Sequence, residues 1–222
     1  MASDVASLRR RIVTKASPLF ARAMMKMNRV MRDHLTFLGR FLRQPVRTGA
    51  IAPSSRWLAR TMIADMGLTD ANTVVELGPG TGSFTGAIQM NIGPQTFFMV
   101  VEVDPCFARQ LGKRFPHLVV VNDTAERLRH YLEQHGFTEA DSILCGIPWA
   151  GFSDDLQRRL MQSVWESLRP GGQFATFAYI HASWFPPARR FRRRLESQFS
   201  HVQTTPIVWR NLPPAFVYRC KK

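Results

Sequence analysis

The chain of 222 residues reads as an α/β protein built on a mostly parallel sheet. Three observations predict this. Short runs rich in β-branched and aromatic residues alternate with segments whose apolar residues recur every three or four positions. The first such run feeds into a tight turn with glycine at Gly78, Gly80 and Gly82. The last two runs flank a proline-rich turn and read as a hairpin. Strand–helix alternation means parallel strands joined by crossovers, with both faces of the sheet covered.

Taken in order, residues 56–66 form a helix behind the cap Ser55, and 73–77 the first strand. Residues 83–90 are the helix that follows the glycine turn. Strand two is 96–103, with helix 104–115 behind it. Strand three is 117–121, with helix 124–135. Strand four is 142–144. Its helix, 154–168, is capped by Ser153 and carries Leu156, Leu160, Val164 and Leu168 on one face. Gly171-Gly172 turns into strand five, 173–180. Residues 201–208 and 215–219 close the sheet around Asn211-Leu212-Pro213-Pro214, making seven strands with the last antiparallel.

Apolar residues make up 45% of the chain, enough for a real core. Residues 49–222 suit one domain, preceded by an arm over 1–48. Cys106, Cys145 and Cys220 have no metal-ligand spacing and are odd in number, so no metal and a reducing compartment are expected. No apolar run is long enough to span a bilayer. The early apolar residues are broken by arginines, unlike a secretory signal, although an Arg-rich start also resembles an organellar transit peptide.

The net charge of +14 calls for an anionic partner, either nucleic acid or an anionic membrane surface. Residues 1–48 hold eleven basic residues against Asp4 and Asp33. Within them Phe20, Met24, Met27, Met31, Leu35, Leu38 and Leu42 line one face of a helix, with arginines and lysines on much of the other. Ser17 and Pro18 start it and Pro45 ends it. A basic amphipathic helix of this kind lies in a membrane interface, at about 1 kcal/mol per basic residue. The expected location is therefore cytoplasmic and peripheral, on the inner face of the membrane. The same pattern also fits a helix that merely covers the domain.

In a parallel sheet, ligands sit at the carboxyl ends of the strands. The turn Glu76-Leu77-Gly78-Pro79-Gly80-Thr81-Gly82 stands at the first of these ends. A dinucleotide fingerprint would need glycine at position 83, which is Ser83. The G-x-G-x-G spacing after an acidic residue instead resembles motif I of the class I methyltransferases, which bind S-adenosylmethionine on a Rossmann-like fold. That resemblance puts Glu76 near the cofactor's methionine end and the glycines beneath its sugar. Glu102 ends strand two, where a carboxylate can accept two hydrogen bonds from a ribose diol, with Val103 beside it. Asp123 and Thr124 follow strand three. Asp123 is a candidate acceptor for the adenine amino group, or with Thr124 a helix-capping turn.

Cys145-Gly146-Ile147-Pro148-Trp149 ends strand four, where the methyl acceptor is expected. Adenine-N6 methyltransferases resemble one another in an N-L-P-aromatic tetrapeptide at this place. Here the asparagine position is Gly146, so that side-chain acceptor is missing, while Trp149 remains to pack on the cofactor or face a cation.

Taken together, the motifs resemble the short bacterial phospholipid N-methyltransferases, which methylate phosphatidylethanolamine toward phosphatidylcholine. The matching features are Gly49 to Ser55, Glu76 to Gly82, Glu102 with Phe107, Asp123 to Ala125, Gly146 to Trp149, Pro170 to Gly172 and the strand around Tyr179. Two positions depart from the family pattern: Asn122, where glycine is usual, and Ala178, where threonine is common. Enzymes methylating the amine of an ornithine lipid are closely similar, so that substrate stands as the alternative. The resemblance implies S-adenosylmethionine as cofactor, a lipid substrate, and direct methyl transfer to a neutral amine. Tyr179 and His181, at the end of strand five, are candidates to pass on the proton. Ser54, Ser55, Ile147, Pro148, Trp149, Tyr179, Arg189 and Arg190 are candidates for substrate contact, the arginines toward a lipid anion. An RNA adenine dimethyltransferase is the competing class, since RNA also suits the charge. It is disfavoured by Gly146 and by the lack of residues beyond the core for an RNA-binding domain. A non-catalytic membrane module with a relic cofactor fold is a third reading.

Overall fold

In the computed structural model, residues 54–222 are described. The predicted arm and the lead-in up to Pro53 lie outside the described residues. The described elements are α1 (Arg56–Ile63), β1 (Thr73–Leu77), α2 (Thr85–Gln89), β2 (Phe97–Val101), α3 (Pro105–Arg114), β3 (Val119–Val121), α4 (Leu128–Gln134), β4 (Ala140–Cys145), α5 (Asp154–Ser167), β5 (Leu168–Tyr179), α6 (Pro186–Gln198), β6 (His201–Thr204) and β7 (Ala215–Lys221).

The seven strands form one sheet in the order β3-β2-β1-β4-β5-β7-β6. β1 pairs in parallel with β2 and with β4, so Glu76 lies between Val100 and Leu144, and Leu77 between Val101 and Cys145. β7 is antiparallel to both β5 and β6. The expected Rossmann-like sheet with an antiparallel last strand is thus present. The chain reverses direction across the sheet between β1 and β4, which puts a ligand crevice at the carboxyl ends of those strands.

Every residue of β1 is buried because helices cover both faces. Val75, Leu77, Met99, Val101 and Ile143 pack with Leu128 of α4, Leu156, Leu160 and Val164 of α5, and Phe191 and Leu195 of α6. Val74, Val100, Leu144, Ala175 and Val217 face the other way, onto Leu58 and Met62 of α1 and Ile88 of α2. Each such aliphatic side chain contributes about 1.5–3 kcal/mol on burial. Helix starts are fixed locally. Ser55 accepts the Leu58 N–H at 3.2 Å. Asp104 accepts the N–H groups of Cys106 and Phe107 with Pro105 in the first turn of α3. Ser153 caps α5, with Asp154 and Asp155 favourable at its positive end.

Most element ends shift by a few residues from the sequence reading, and three differences are of more consequence. β5 starts at Leu168, before the Pro-Gly-Gly segment, because Leu168 already pairs with Ala140 and the register then shifts before Ser142. Residues 125–127 form a 3-10 turn ahead of α4. The run around Arg189 and Arg190, read only as a basic patch, is the 13-residue helix α6. It starts at Pro186 and buries Phe191 and Leu195, one turn apart.

Candidate active site

Glu76 is the last charged residue of β1 and is fully buried. Its Oε2 accepts a 2.6 Å hydrogen bond from Thr85 Oγ1 at the start of α2. Its Oε1 is buried with no hydrogen-bond partner. Burial, reinforced by the nearby charge of Glu102, pushes the carboxyl up to about 8 despite the Thr85 bond. A buried, half-satisfied carboxyl at a strand end is costly unless something else sits beside it.

The turn after β1 is anchored on both sides. Gly78 N–H donates to Val101 C=O at 2.9 Å, and Gly146 N–H to Leu77 C=O at 2.8 Å. Gly80 adopts φ of 56°, and a Cβ built there would meet nothing within 4 Å. The turn therefore presents bare backbone to open space, as a ligand lying on it requires. Pro79, Thr81 and Gly82 complete the loop, with Thr81 C=O accepting from Arg114 at 3.0 Å.

Glu102 is 1% exposed. Its Oε2 accepts Gly80 N–H and its Oε1 accepts Asp104 N–H, each at 2.9 Å. It thus ties the glycine turn to the end of β2, and each oxygen keeps a lone pair for a diol. Burial raises its pKa, opposed by those two N–H groups. Asn122, a departure from the family pattern, donates its amide to the carbonyls of Glu102 and Val103 at 2.8 and 3.2 Å. It fixes that strand end, a role with no motif to announce it.

Asp123 accepts from Thr124 N–H, Arg127 and Tyr131. The Tyr131, Thr124 and Arg127 contacts hold its carboxyl below the usual range. Thr124 Oγ1 caps the following 3-10 turn through the Glu126 N–H. The capping alternative thus holds for Thr124, and Asp123 stands beside it as an ionised acceptor.

Cys145 ends β4, buried, with its thiol pushed up to about 12 by that burial. Its carbonyl accepts from Thr176 Oγ1 at 3.0 Å. Gly146 is forced. A Cβ there would lie 2.6 Å from the Gly78 carbonyl oxygen, so no asparagine fits while the glycine turn keeps its place. Ile147 packs against Gly78 from the other side. Trp149 corrects an expectation. It is 3% exposed, stacked on Phe191 with centroids 4.5 Å apart. Its indole N–H donates to Thr176 and its carbonyl accepts from Gln157. With its ring enclosed in the core, it offers no face to cofactor or cation and instead props the Gly146–Pro148 segment.

Tyr179 is the last residue of β5, half-buried, with its phenol pushed up to about 12 by burial. Its ring stacks on His181 at 5.7 Å and meets Phe177 edge-on at 5.3 Å. His181 is exposed in the 3-10 turn that follows. Ser55 is the cap of α1, and its N–H reaches Asn211 Oδ1 at 2.9 Å; Ser54 precedes it. Arg190 lies 3.6 Å from Asp154, which also pairs with Arg194. Arg190 is therefore held on the helix surface, while Arg189 is exposed.

No family model matches the chain. A curated protein does: the ornithine lipid N-methyltransferase of Singulisphaera acidiphila is 36% identical over 194 residues, spanning 86% of this chain and 97% of that one. The chain belongs to the lipid N-methyltransferase family. Solved structures agree on the fold. An O-methyltransferase from Bacillus cereus bound to S-adenosylhomocysteine has a TM-score of 0.60 at 13% identity, over 84% of this chain and 91% of that one. The O-methyltransferase TomG from Streptomyces achromogenes, bound to S-adenosylmethionine, has 0.60 at 14%, over 86% and 89%.

As a lipid N-methyltransferase the protein uses S-adenosylmethionine, which supplies an electrophilic methyl group. The residues present fit that cofactor. Gly80 leaves open space over bare backbone, and Glu76 Oε1 lacks a partner beside it. The sequence singled out the turn and both glutamates by their spacing, and the fold brings them to one sheet edge. Sequence reasoning missed Thr85, Thr176 and Gln157, whose side chains brace the site without belonging to any motif. It also missed α6, for which the signals were the paired prolines and the Phe191–Leu195 spacing.

Proposed function

We propose that the protein methylates the terminal amine of an ornithine lipid at the membrane surface. The observation that carries this is the similarity, along nearly the whole length of both chains, to an enzyme named for that substrate. Phosphatidylethanolamine, the first expectation from the motifs, is the less supported substrate.

In this reading the cofactor rests on Gly78–Gly82, with Glu102 on its ribose and Glu76 near its cationic end. The lipid amine enters over Gly146–Pro148. Backbone carbonyls there take over from the missing side-chain acceptor, since Gly146 carries none. Positioning supplies most of the rate, because transfer to an amine needs no covalent enzyme intermediate. The amine must be neutral, and an apolar pocket lowers its pKa by desolvation. Tyr179 keeps its phenolic proton at neutral pH, consistent with its raised pKa. It therefore acts by orienting the amine through its oxygen rather than as a phenolate base, and the exposed His181 passes the proton to solvent.

The test is incubation of the protein and labelled S-adenosylmethionine with vesicles holding an anionic lipid plus either ornithine lipid or phosphatidylethanolamine. Label in ornithine lipid is expected, in a product series that counts the methyl groups. Label only in phosphatidylethanolamine would reverse the substrate assignment. Label in neither, with transfer to RNA, would overturn lipid methylation.

A further inference from the structure

Most large apolar side chains of the described residues are buried, but five are exposed: Met90 at the end of α2, at 81%, and Trp184, Phe185, Trp209 and Leu212, at 72%, 58%, 69% and 76%. The last four belong to two segments at one end of the sheet. Residues 180–185 leave the carboxyl end of β5. Residues 205–214 leave the carboxyl end of β6, which runs parallel to β5 because both are antiparallel to β7. The segments are tied to each other by the Ile180 N–H bond to Pro214 C=O at 3.0 Å. They are tied to the start of α1 by the Ser55 N–H bond to Asn211. This is the edge from which the glycine turn, Glu102 and Tyr179 also emerge.

Positive charge also gathers at this edge. Arg56, Arg60 and Arg210 gather around the Trp57 ring at 5.3, 5.4 and 4.7 Å. Among the described residues none of the three has a carboxylate partner. Arg127, Arg159, Arg169, Arg194 and Arg219 each do, while Arg109, Arg114, Arg189 and Arg193 also go without one among the described residues; what sets the trio apart is that it is gathered on one ring beside the exposed aromatics. Three guanidiniums crowded on one indole repel one another and leave an unmet demand for anions. Exposed tryptophan, phenylalanine and leucine among unpaired arginines match the chemistry of a bilayer interface: rings at headgroup level, cations at anionic lipid.

We propose that this edge is a membrane-contacting surface of the catalytic domain, in which Trp184, Phe185, Trp209 and Leu212 enter the headgroup region and Arg56, Arg60 and Arg210 hold anionic lipid. It rests on the lipid-methylating reading above. It sets the strand ends against the bilayer, so a lipid amine reaches Gly146 by rising out of the membrane a short way rather than leaving it.

The test uses the full chain and vesicles with and without phosphatidylglycerol. In the wild type, tryptophan emission should be quenched by lipids brominated near the headgroup, and Trp209→Phe should remove part of that quenching. The combined Trp184→Ala, Phe185→Ala, Trp209→Ala and Leu212→Ala variant should bind vesicles at least fivefold less, with S-adenosylmethionine affinity unchanged. Its turnover of bilayer substrate should fall, while turnover of a short-chain monomeric substrate is kept. Arg210→Glu should weaken binding only to vesicles containing phosphatidylglycerol. Vesicle binding unchanged in the combined variant would overturn the surface, even where lipid methylation stands. So would a wild-type dimer that the same substitutions dissociate, since a second copy would then be the occupant. A wild type that binds vesicles through these residues but methylates no lipid would leave the surface standing and overturn the proposed function.

Discussion

Replacing Glu76 with glutamine should flatten the pH dependence of stability of the cofactor-free protein. The carboxyl is fully buried and titrates near 8 rather than at its ordinary 4.5, chiefly through burial. In the unfolded chain it ionises through 4.5. Between those values the native state holds a proton that the unfolded state has lost, so unfolding free energy falls as pH rises. The contribution is full below 4.5 and gone once pH passes about 8. From pH 6 to 8 the loss is somewhat under two units at about 1.36 kcal/mol each, on the order of 2 kcal/mol. Glutamine keeps an acceptor for Thr85 and never ionises. Urea unfolding of the full chain at pH 6, 7 and 8 reads the slope directly. The variant slope should be shallower by about 2 kcal/mol over this range, with the slope from Glu102 remaining in both proteins, because its pKa is also raised. Parallel slopes in wild type and variant would refute the assignment of a neutral Glu76.

The same proton bears on cofactor binding. In the proposed arrangement the cationic end of the cofactor lies beside Glu76 and favours the ionised form, so binding below pH 8 should release a proton. Affinity for S-adenosylmethionine should then rise about tenfold per pH unit between 6 and 8 and level off above. Calorimetry in buffers of different ionisation enthalpy would detect the released proton, and Glu76→Gln should abolish it.

Gly146→Ala should cost about 1–3 kcal/mol of stability by overpacking and weaken cofactor binding more than tenfold, because its Cβ meets the Gly78 carbonyl; titration with the cofactor checks this. Tyr179→Phe should lower kcat by about tenfold or more with cofactor affinity intact, and full turnover would remove the hydroxyl from the reaction. Trp149→Ala should destabilise by about 3–5 kcal/mol in urea unfolding, as loss of a core ring rather than of a ligand wall.

The sheet was legible because its code is local. A strand buried on both faces reads as a continuous apolar run, as Phe97–Val101 does, and each crossover helix declares its cap and its stripe. The glycine turn was legible for a related reason. Backbone that must bend through positive φ and stay bare admits few residues, so spacing alone carries the meaning. The start of β5 was not legible, because the shift between Ala140 and Ser142 depends on a partner strand. Trp149 misled because an aromatic after Pro148 is equally compatible with stacking on a ligand and stacking on Phe191. Only the arrival of α6, some forty residues later, decides which ring it meets.

That last case bears on how the acceptor site is built. In the chain order, Gly146 reads as a deletion, an asparagine lost from a base-binding tetrapeptide. In the fold it is a steric requirement. The end of β4 lies so close to the turn after β1 that Gly146 donates to Leu77 while its Cα faces the Gly78 carbonyl. Trp149, held by Thr176, Gln157 and Phe191, keeps the segment pressed there. In the proposed reading, a site closed to a side chain at residue 146 holds the acceptor nitrogen through backbone carbonyls instead. Such a site suits a small, flexible aliphatic amine better than a planar base that needs an aromatic to stack upon. Restoring a side-chain acceptor with Gly146→Asn should therefore not create adenine methylation; it should displace the glycine turn and lower cofactor affinity and lipid turnover together.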